Sequence, residues 1–464
     1  MAYSFFLIGI FILLILLISI FLVCKFKWGI YFLAFIVPFA ADHIGLHVKS
    51  TWSNKMADII PVFTIISPVI LIGLIFQKLT GLHNWRVNNL IIRLLFLFLC
   101  WAAITLFWAF NFEHNLLQLF ILTNNFLIFY LLLNSIDNVN FQKNLMWCWI
   151  MFGVLAMVGV FVAALFDFKK IYSIEIGEWL TFKFILFGCP NRPLSVANPN
   201  ETSFILNLTT CVAIGMLLTE DSFNKKVLLF MIVILMIFAN IITLSKGGLF
   251  GMLAMLYFLL FFIQKFRRNL VRNFILMHLL LILFLVFQIT TTLESLPPRL
   301  VSSTESSSLK SRIKDFYKPC MKRLMESNLF KGMGVGTAKD YLTPKAGGAP
   351  HAHSIYFSTL FDFGIVGFAI ASVIFIIFLK DFLNILKFPQ TKLHVMFLCC
   401  CGGLVAIFVH GAIDFEYNTP EIWFFFGLTV VTLNLAKHEL NYLQSIVNAK
   451  NKLTYNPLFS EYNY

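Results

Sequence analysis

Apolar runs of about 18 or more residues follow one another along nearly the whole chain, separated by short polar connections. A helix of that length matches the ~30 Å hydrocarbon core of a bilayer. The pattern predicts helices over 4–24, 28–40, 57–77, 93–111, 115–133, 145–166, 202–219, 226–243, 247–264, 273–291, 354–380, 394–413 and 421–436. The second run is short and ends near Pro38, so it reads as a half-span or as a tight partner of the first. The expected fold is therefore an all-α polytopic membrane protein with about 12 transmembrane helices. No repeated unit and no inverted pair of broken helices is evident, as many transporters would show.

Two connections are much longer than the rest, 167–201 and 292–353. They divide the chain into an N-terminal membrane bundle (1–166), a first loop (167–201), central membrane helices (202–291), a large loop (292–353), C-terminal membrane helices (354–436) and a polar tail (437–464). Within the large loop, Leu309, Ile313, Phe316, Cys320 and Leu324 recur at spacings of three and four, with Lys310, Arg312, Lys314, Lys318, Lys322 and Arg323 around them. That pattern predicts a basic amphipathic helix lying on the lipid interface and bent at Pro319. Gly332, Gly334 and Gly336 then mark an irregular turn of structural purpose, since no Gly-Lys-Ser/Thr ending of a phosphate loop follows.

Composition agrees with the pattern. Of 464 residues, 59% are hydrophobic and 12% charged, too few polar groups to cover a water-soluble surface of this size. The net charge of +13 is no nucleic-acid footprint, because Lys and Arg accumulate in the cytoplasmic loops of membrane proteins. The run ending in "LVCKFK" is too long for a cleaved signal and reads as the first span. Most cysteines sit in apolar runs, as in Cys399–Cys401, where they serve as small hydrophobes. Cys189 and Cys320 fall in the long loops, and spacing leaves a disulfide between them open.

Charge also sets sidedness. The short loops "KFK" (25–27), "QKLTGLHNWRVNN", "NKK" (224–226), "QKFRRNLVRN" and "LKFPQTK" are basic, whereas "NFEHN" and "DFEYNTPE" are nearly free of Lys and Arg. The basic set and the tail are expected in the cytoplasm. Both long loops then emerge on the opposite face. Counting spans places Arg192, Lys246, the large loop and "HGAIDFEYNTPE" together on that outer face.

An outer face lacks ATP, so transfer chemistry there needs substrates that arrive activated, of which lipid-linked sugars are the obvious class. Cations must hold a departing diphosphate, and an acceptor hydroxyl needs a base. Arg192, Lys246, Arg312 and His353 could meet both needs, and Asn198 and Asn200 offer amides for sugar or phosphate. Plainer readings stand beside these. His353 fits a solvated histidine at a helix start, Arg192 a snorkelling side chain, and Lys246 an ordinary topological charge. Asp414 and Glu416 look like exposed acids in an interfacial girdle with Tyr417 and Trp423, and His410 like an i, i+4 partner of Asp414.

The motifs "RPLSVANPN" (192–200), "LSKGG" (244–248), "SRIKDFY" (311–317), "NLFKGMGVGTA" (328–338) and "HSIYFSTLFDFGIVG" (353–367) together resemble the O-antigen ligase and O-antigen polymerase superfamily. The resemblance covers roughly 190–370 and implies a GT-C-type glycosyltransferase architecture with a long periplasmic loop, in the bacterial inner membrane. It implies a multi-pass enzyme whose active site faces the periplasm and works without metal or other cofactor. The donor would be an undecaprenyl-diphosphate-linked glycan and the acceptor the lipid A core or another glycan, with membrane lipids as the other partners. His353 matches the family's base, and Arg312 its diphosphate-binding arginine, with Arg299 and Arg323 as alternative matches. Lys246 stands where the family has the arginine of "SRG", which keeps a charge and gives up the planar fork. His351 reads as accessory to His353.

The leading expectation is thus an inverting ligase for O-antigen. A repeat-unit polymerase and a protein O-oligosaccharyltransferase share the motifs, and a polysaccharide flippase is the rival of another class.

Overall fold

The computed structural model describes residues 21, 25–39, 45–49, 57–61, 63–81, 90–166, 170–176, 180–187, 199–264, 317–338, 354–414 and 417–454. The expected span at 273–291 lies outside these residues, as does that at 4–24 apart from residue 21. The described helices are α1 (Phe26–Ile36), α2 (Phe63–Leu79), α3 (Leu90–Thr105), α4 (Phe112–Ser135), α5 (Val139–Phe166), α6 (Pro199–Thr219), α7 (Phe223–Ile242), α8 (Lys246–Phe262), α9 (Lys318–Ser327), α10 (Ile355–Ile385), α11 (Lys392–His410) and α12 (Pro420–Thr454). Seven of them (α3 with its terminal turn, α4, α5, α6, α7, α10 and α11) are long and apolar enough to cross a membrane, and α1, α2 and α8 are shorter apolar helices. The chain is a multi-pass helical membrane protein.

Two antiparallel hairpins, which the apolar pattern did not announce, lie in the connections. β1 (Gly45–Lys49) pairs with β2 (Ala57–Pro61), Gly45 opposite Pro61. β3 (Lys170–Ile176) pairs with β4 (Leu180–Phe187), Ile176 opposite Leu180. β1 lies beside β4, so these two connections meet at one end of the bundle. Residues 57–61 were expected inside a span. Pro61 explains the change, because it drives the preceding residue into extended backbone, and the helix starts at Phe63. Likewise α1 gives way to a 3-10 turn over Val37–Phe39 at Pro38.

α6 and α11 form the centre. α6 is buried along nearly all its length and packs on α5, α7, α8 and α11. The small run Cys399–Gly403 on α11 lets α6, α8 and α12 approach closely: a Cβ on Gly403 would lie 2.5–2.6 Å from Cys211 and Phe425. Away from water, a central helix rich in Thr, Ser and Asn must satisfy its polar groups inside the bundle. Thr209 and Thr219 accordingly donate to carbonyls one turn back, and Asn207 to the Gly248 carbonyl.

The end of the bundle with the basic short loops is held by two ion pairs and a charged hydrogen bond. Lys392 meets Asp221, Lys437 meets Asp381 at 2.8 Å, and Lys78 donates to Asn134 at 3.0 Å. The hydrogen bond and charge of Lys392 hold the Asp221 carboxyl below its ordinary range. α12 runs past the apolar stretch to Thr454, so the tail begins as helix.

Pro319 lies in the first turn of α9, a place where its missing N–H costs nothing, and the residues before Tyr317, where the expected bend would show, lie outside the described residues. α9 corrects another expectation. Cys320 and Leu324 are fully buried, packed with Met333, Ala338 and Phe361 and flanked by Phe357 and Leu360. This part of the apolar stripe therefore docks on α10 and not on lipid. Phe357 and Phe361, one helical turn apart, supply the receiving surface. Cys189 lies outside the described residues, and with it the pairing considered for Cys320.

Candidate functional site

The polar residues gather at the other end of the bundle. α7 and α8 are joined by Thr243–Ser245, a reversal in which Leu244 takes φ 55, a left-handed conformation rarely adopted by a branched side chain. The turn delivers Ser245 as the N-cap of α8, its hydroxyl accepting from the Gly248 N–H at 3.1 Å. Lys246 is then the first helical residue, exposed at the positive end of the helix dipole. Gly248 is obligatory, since a Cβ there would sit 1.6 Å from Ser203 Oγ.

Asn200, in the first turn of α6, ties this turn to the α11–α12 connection. Its Oδ1 accepts from Ser245 Oγ at 2.8 Å, and its amide donates to Asp414 Oδ2. Below it, Ser203 donates to Asn240 Oδ1, and the Asn240 amide donates to Asn207 Oδ1 at 2.5 Å. His410 is buried against Gly247 and the ring of Phe204, centroids 5.9 Å apart. The Asp414 N–H donates to the His410 carbonyl at 3.0 Å, so the expected i, i+4 link runs through the backbone while the Asp414 carboxylate turns to Asn200.

α10 starts in the same place. Ser354 caps it, accepting from the Phe357 N–H at 3.3 Å, and the Ile355 N–H donates to the Gly411 carbonyl at 2.8 Å. α10 is not the single straight span expected, for it breaks at Gly364 (φ 65, ψ −167). The break frees the carbonyls of Phe361 and Asp362 to accept from Met333 and Gly334, both at 2.9 Å. A Cβ on Gly364 would be 2.3 Å from the Phe330 carbonyl oxygen, so the two backbones can touch only through glycine.

The stretch 328–338 of the large loop therefore fits into the broken helix. α3 and α4 wall it in: Trp101 Nε1 donates to the Phe363 carbonyl at 2.9 Å, Trp108 Nε1 to the Gly332 carbonyl at 3.1 Å, and Asn115 to Thr337 Oγ1 at 2.8 Å. Lys331 lies 5.0 Å from the Trp108 ring centroid. The Asp362 carboxylate accepts from the N–H groups of Gly336 and Ala338, each at 2.8 Å, and from the Tyr417 hydroxyl at 2.7 Å. Tyr417 and Trp423 are thus buried and not an interfacial girdle: the buried acid recruits the Tyr417 hydroxyl, and Trp423 Nε1 donates to the Tyr417 carbonyl at 2.7 Å.

Of the residues singled out from sequence, Lys246 and Asn200 are described and meet through Ser245. Arg192, Asn198, Arg312, His351 and His353 lie outside the described residues, as does Glu416. The neighbours Ser354 and Pro199 do lie in the polar cluster's end, with α10 tied to Gly411 and α6 to Asp414. Sequence reasoning passed over Asp362. Its signal was a lone acid in an apolar run, "STLFDFGIVG", a placement costly enough inside lipid to call for a purpose.

A match to the O-antigen ligase family covers residues 231–372, from within α7 to the middle of α10. Over those residues the chain is similar to the O-antigen ligase family. That stretch contains the turn presenting Lys246, the loop 328–338 and the broken helix with Asp362. No curated protein matches the chain.

Proposed function

We propose that this chain is a member of the O-antigen ligase superfamily and a metal-independent, inverting glycosyltransferase of GT-C architecture with about 12 spans. It moves a glycan from undecaprenyl diphosphate to the lipid A core at the periplasmic face of the inner membrane. The observation that carries the reading is the meeting of Asn200, Ser245 and Asp414 beside Lys246, with the start of α10 tied to Gly411 three residues before Asp414. The opposite end holds Lys225, Lys387, Lys392 and Lys437, the charge expected of a cytoplasmic surface.

In this reading an acceptor hydroxyl attacks the anomeric carbon of the donor sugar from the face opposite the diphosphate. The carbon–oxygen bond to diphosphate breaks, the configuration inverts, and undecaprenyl diphosphate departs with the bonding electrons. His353, the residue before the α10 cap, takes the hydroxyl proton. Lys246 at the α8 N-terminus, with Arg312 and Arg192, holds the charge growing on the diphosphate. His351, Asn198 and Asn200 line the sugar side, Asn200 also fixing the Lys246 turn through Ser245.

The test is complementation of cells lacking the enzyme with His353→Ala. Loss of surface polysaccharide at normal protein level is expected. Unchanged polysaccharide would refute the assignment, and a donor moved across the membrane unsplit would mark a flippase. Single repeats on lipid A core distinguish ligation from polymerisation, which gives free long chains, and glycan found on protein would mark an oligosaccharyltransferase.

A further inference from the structure

Residues Ile355–Phe363, ahead of the break at Gly364, form a short strut fastened at both ends. At its start the Ile355 N–H donates to the Gly411 carbonyl at 2.8 Å and the Tyr356 hydroxyl to the Phe408 carbonyl at 3.1 Å. At its finish Asp362 accepts from Gly336, Ala338 and Tyr417, while the carbonyls of Phe361 and Asp362 hold Met333 and Gly334. One carboxylate thus joins three stretches of chain: residues 328–338 of the large loop, the strut, and the α11–α12 connection that carries Asp414.

A buried acid is an expensive way to hold a loop. Asp362 is 1% exposed, and its neighbour Phe363 packs on Phe98 and Tyr417 at centroid distances of 4.8 Å each. Apolar side chains of the same volume would hold the loop at least as firmly, without the cost of removing a carboxylate from water. What an apolar contact cannot supply is direction. Two backbone donors and one hydroxyl, all within 2.8 Å, fix both carboxylate oxygens and so fix the angle of the strut against the loop. Tyr417 shares the arrangement, since its hydroxyl donates to Asp362 and accepts from the Gly336 N–H at 3.1 Å.

We propose that Asp362, with Tyr417, is a positioning residue for the transfer reaction, setting the strut that follows His353 against the Asp414–Asn200–Ser245 cluster. This rests on the reading of His353 as the base. Asp362 makes no contact with substrate in this account. It acts by holding the acid–base end of α10 and the cationic turn of α8 in one geometry, and misplacement of such groups by about 1 Å costs on the order of a hundredfold in rate.

The experiment uses full-length protein in lipid nanodiscs with an undecaprenyl-diphosphate-linked glycan and a lipid A core acceptor. For Asp362→Asn and Tyr417→Phe it measures donor-binding stoichiometry, KM, kcat per donor-binding site, and hydrogen exchange over 333–338. Expected are loss of exchange protection at 333–338, KM within about twofold, and kcat per site down about tenfold for Tyr417→Phe and about a hundredfold for Asp362→Asn. Normalising to donor-binding sites removes the contribution of unfolded enzyme, which a purely structural role would change. If Asp362→Asn fails to fold, the milder Tyr417→Phe decides. Either variant losing protection at 333–338 yet keeping wild-type kcat per site would overturn the proposal. His353→Ala is run alongside, and full activity there would instead overturn the function on which the proposal rests.

Discussion

Asn200 donates its side-chain amide to the carboxylate of Asp414, across 214 residues of chain. The other end of the same amide accepts from Ser245, the cap of the helix whose first residue is Lys246. One neutral side chain thereby sets the distance between an acid on the α11–α12 connection and a cation on α8. Asn200→Ala removes both bonds at once. Loss of a part-buried hydrogen-bonded link costs about 1–2 kcal/mol. Glycan transfer by the purified variant should fall at least about tenfold, and Asn200→Asp, which sets a second carboxylate against Asp414, should fall further.

Lys246 is exposed and stands at a helix N-terminus, so its charge is available to a diphosphate. Lys246→Ala should raise KM for the lipid-linked donor and lower kcat by about ten- to a hundredfold. Lys246→Arg keeps the charge and restores the residue type of the family motif, and it should retain most activity. Initial rates over a donor titration separate the two.

Two glycines with positive φ make a controlled pair for stability. A Cβ at Gly364 would lie 2.3 Å from the Phe330 carbonyl oxygen at φ +65, whereas at Gly81, φ +73, nothing lies within 4 Å. Gly81→Ala bears only the conformational penalty, about 1–2 kcal/mol. Gly364→Ala must also push the loop 328–338 out of the broken helix, and it should cost clearly more, upward of about 3 kcal/mol. Thermal unfolding in nanodiscs ranks them.

Sidedness can be read by labelling intact cells with a membrane-impermeant maleimide in a background free of reactive cysteine. Lys246→Cys and Lys331→Cys should label from outside, and Lys225→Cys and Lys387→Cys only after permeabilisation. All four positions are exposed to a reagent or sit at a bundle end.

The apolar runs made the helices legible because lipid imposes one length and one requirement, internal satisfaction of every backbone group. Charge made the shared end legible: counting spans from the basic loops put Lys246 and "HGAIDFEYN" on the same face, and the Ser245–Asn200–Asp414 bonds join them. The departures occur where a local rule is overridden by a long-range contact. Gly364 breaks α10 because the loop from Phe330 onward inserts its backbone there, an event no periodicity within α10 records. Tyr417 looked interfacial because aromatic residues collect at membrane borders, yet the nearby Asp362 draws it inward. Residues 57–61 looked like a span start because Ile59 and Ile60 are apolar, and the weaker signal of Pro61 decided the strand.

The central claim is that this polar end splits a lipid-linked glycan. The most direct measurement is release of undecaprenyl diphosphate from the donor by purified protein in nanodiscs, with lipid A core acceptor present. The account predicts stoichiometric release and glycosylated acceptor for the wild type, and loss of both in His353→Ala with donor binding intact. Release by His353→Ala at the wild-type rate, or donor left whole by a folded wild-type protein that binds it, would contradict it.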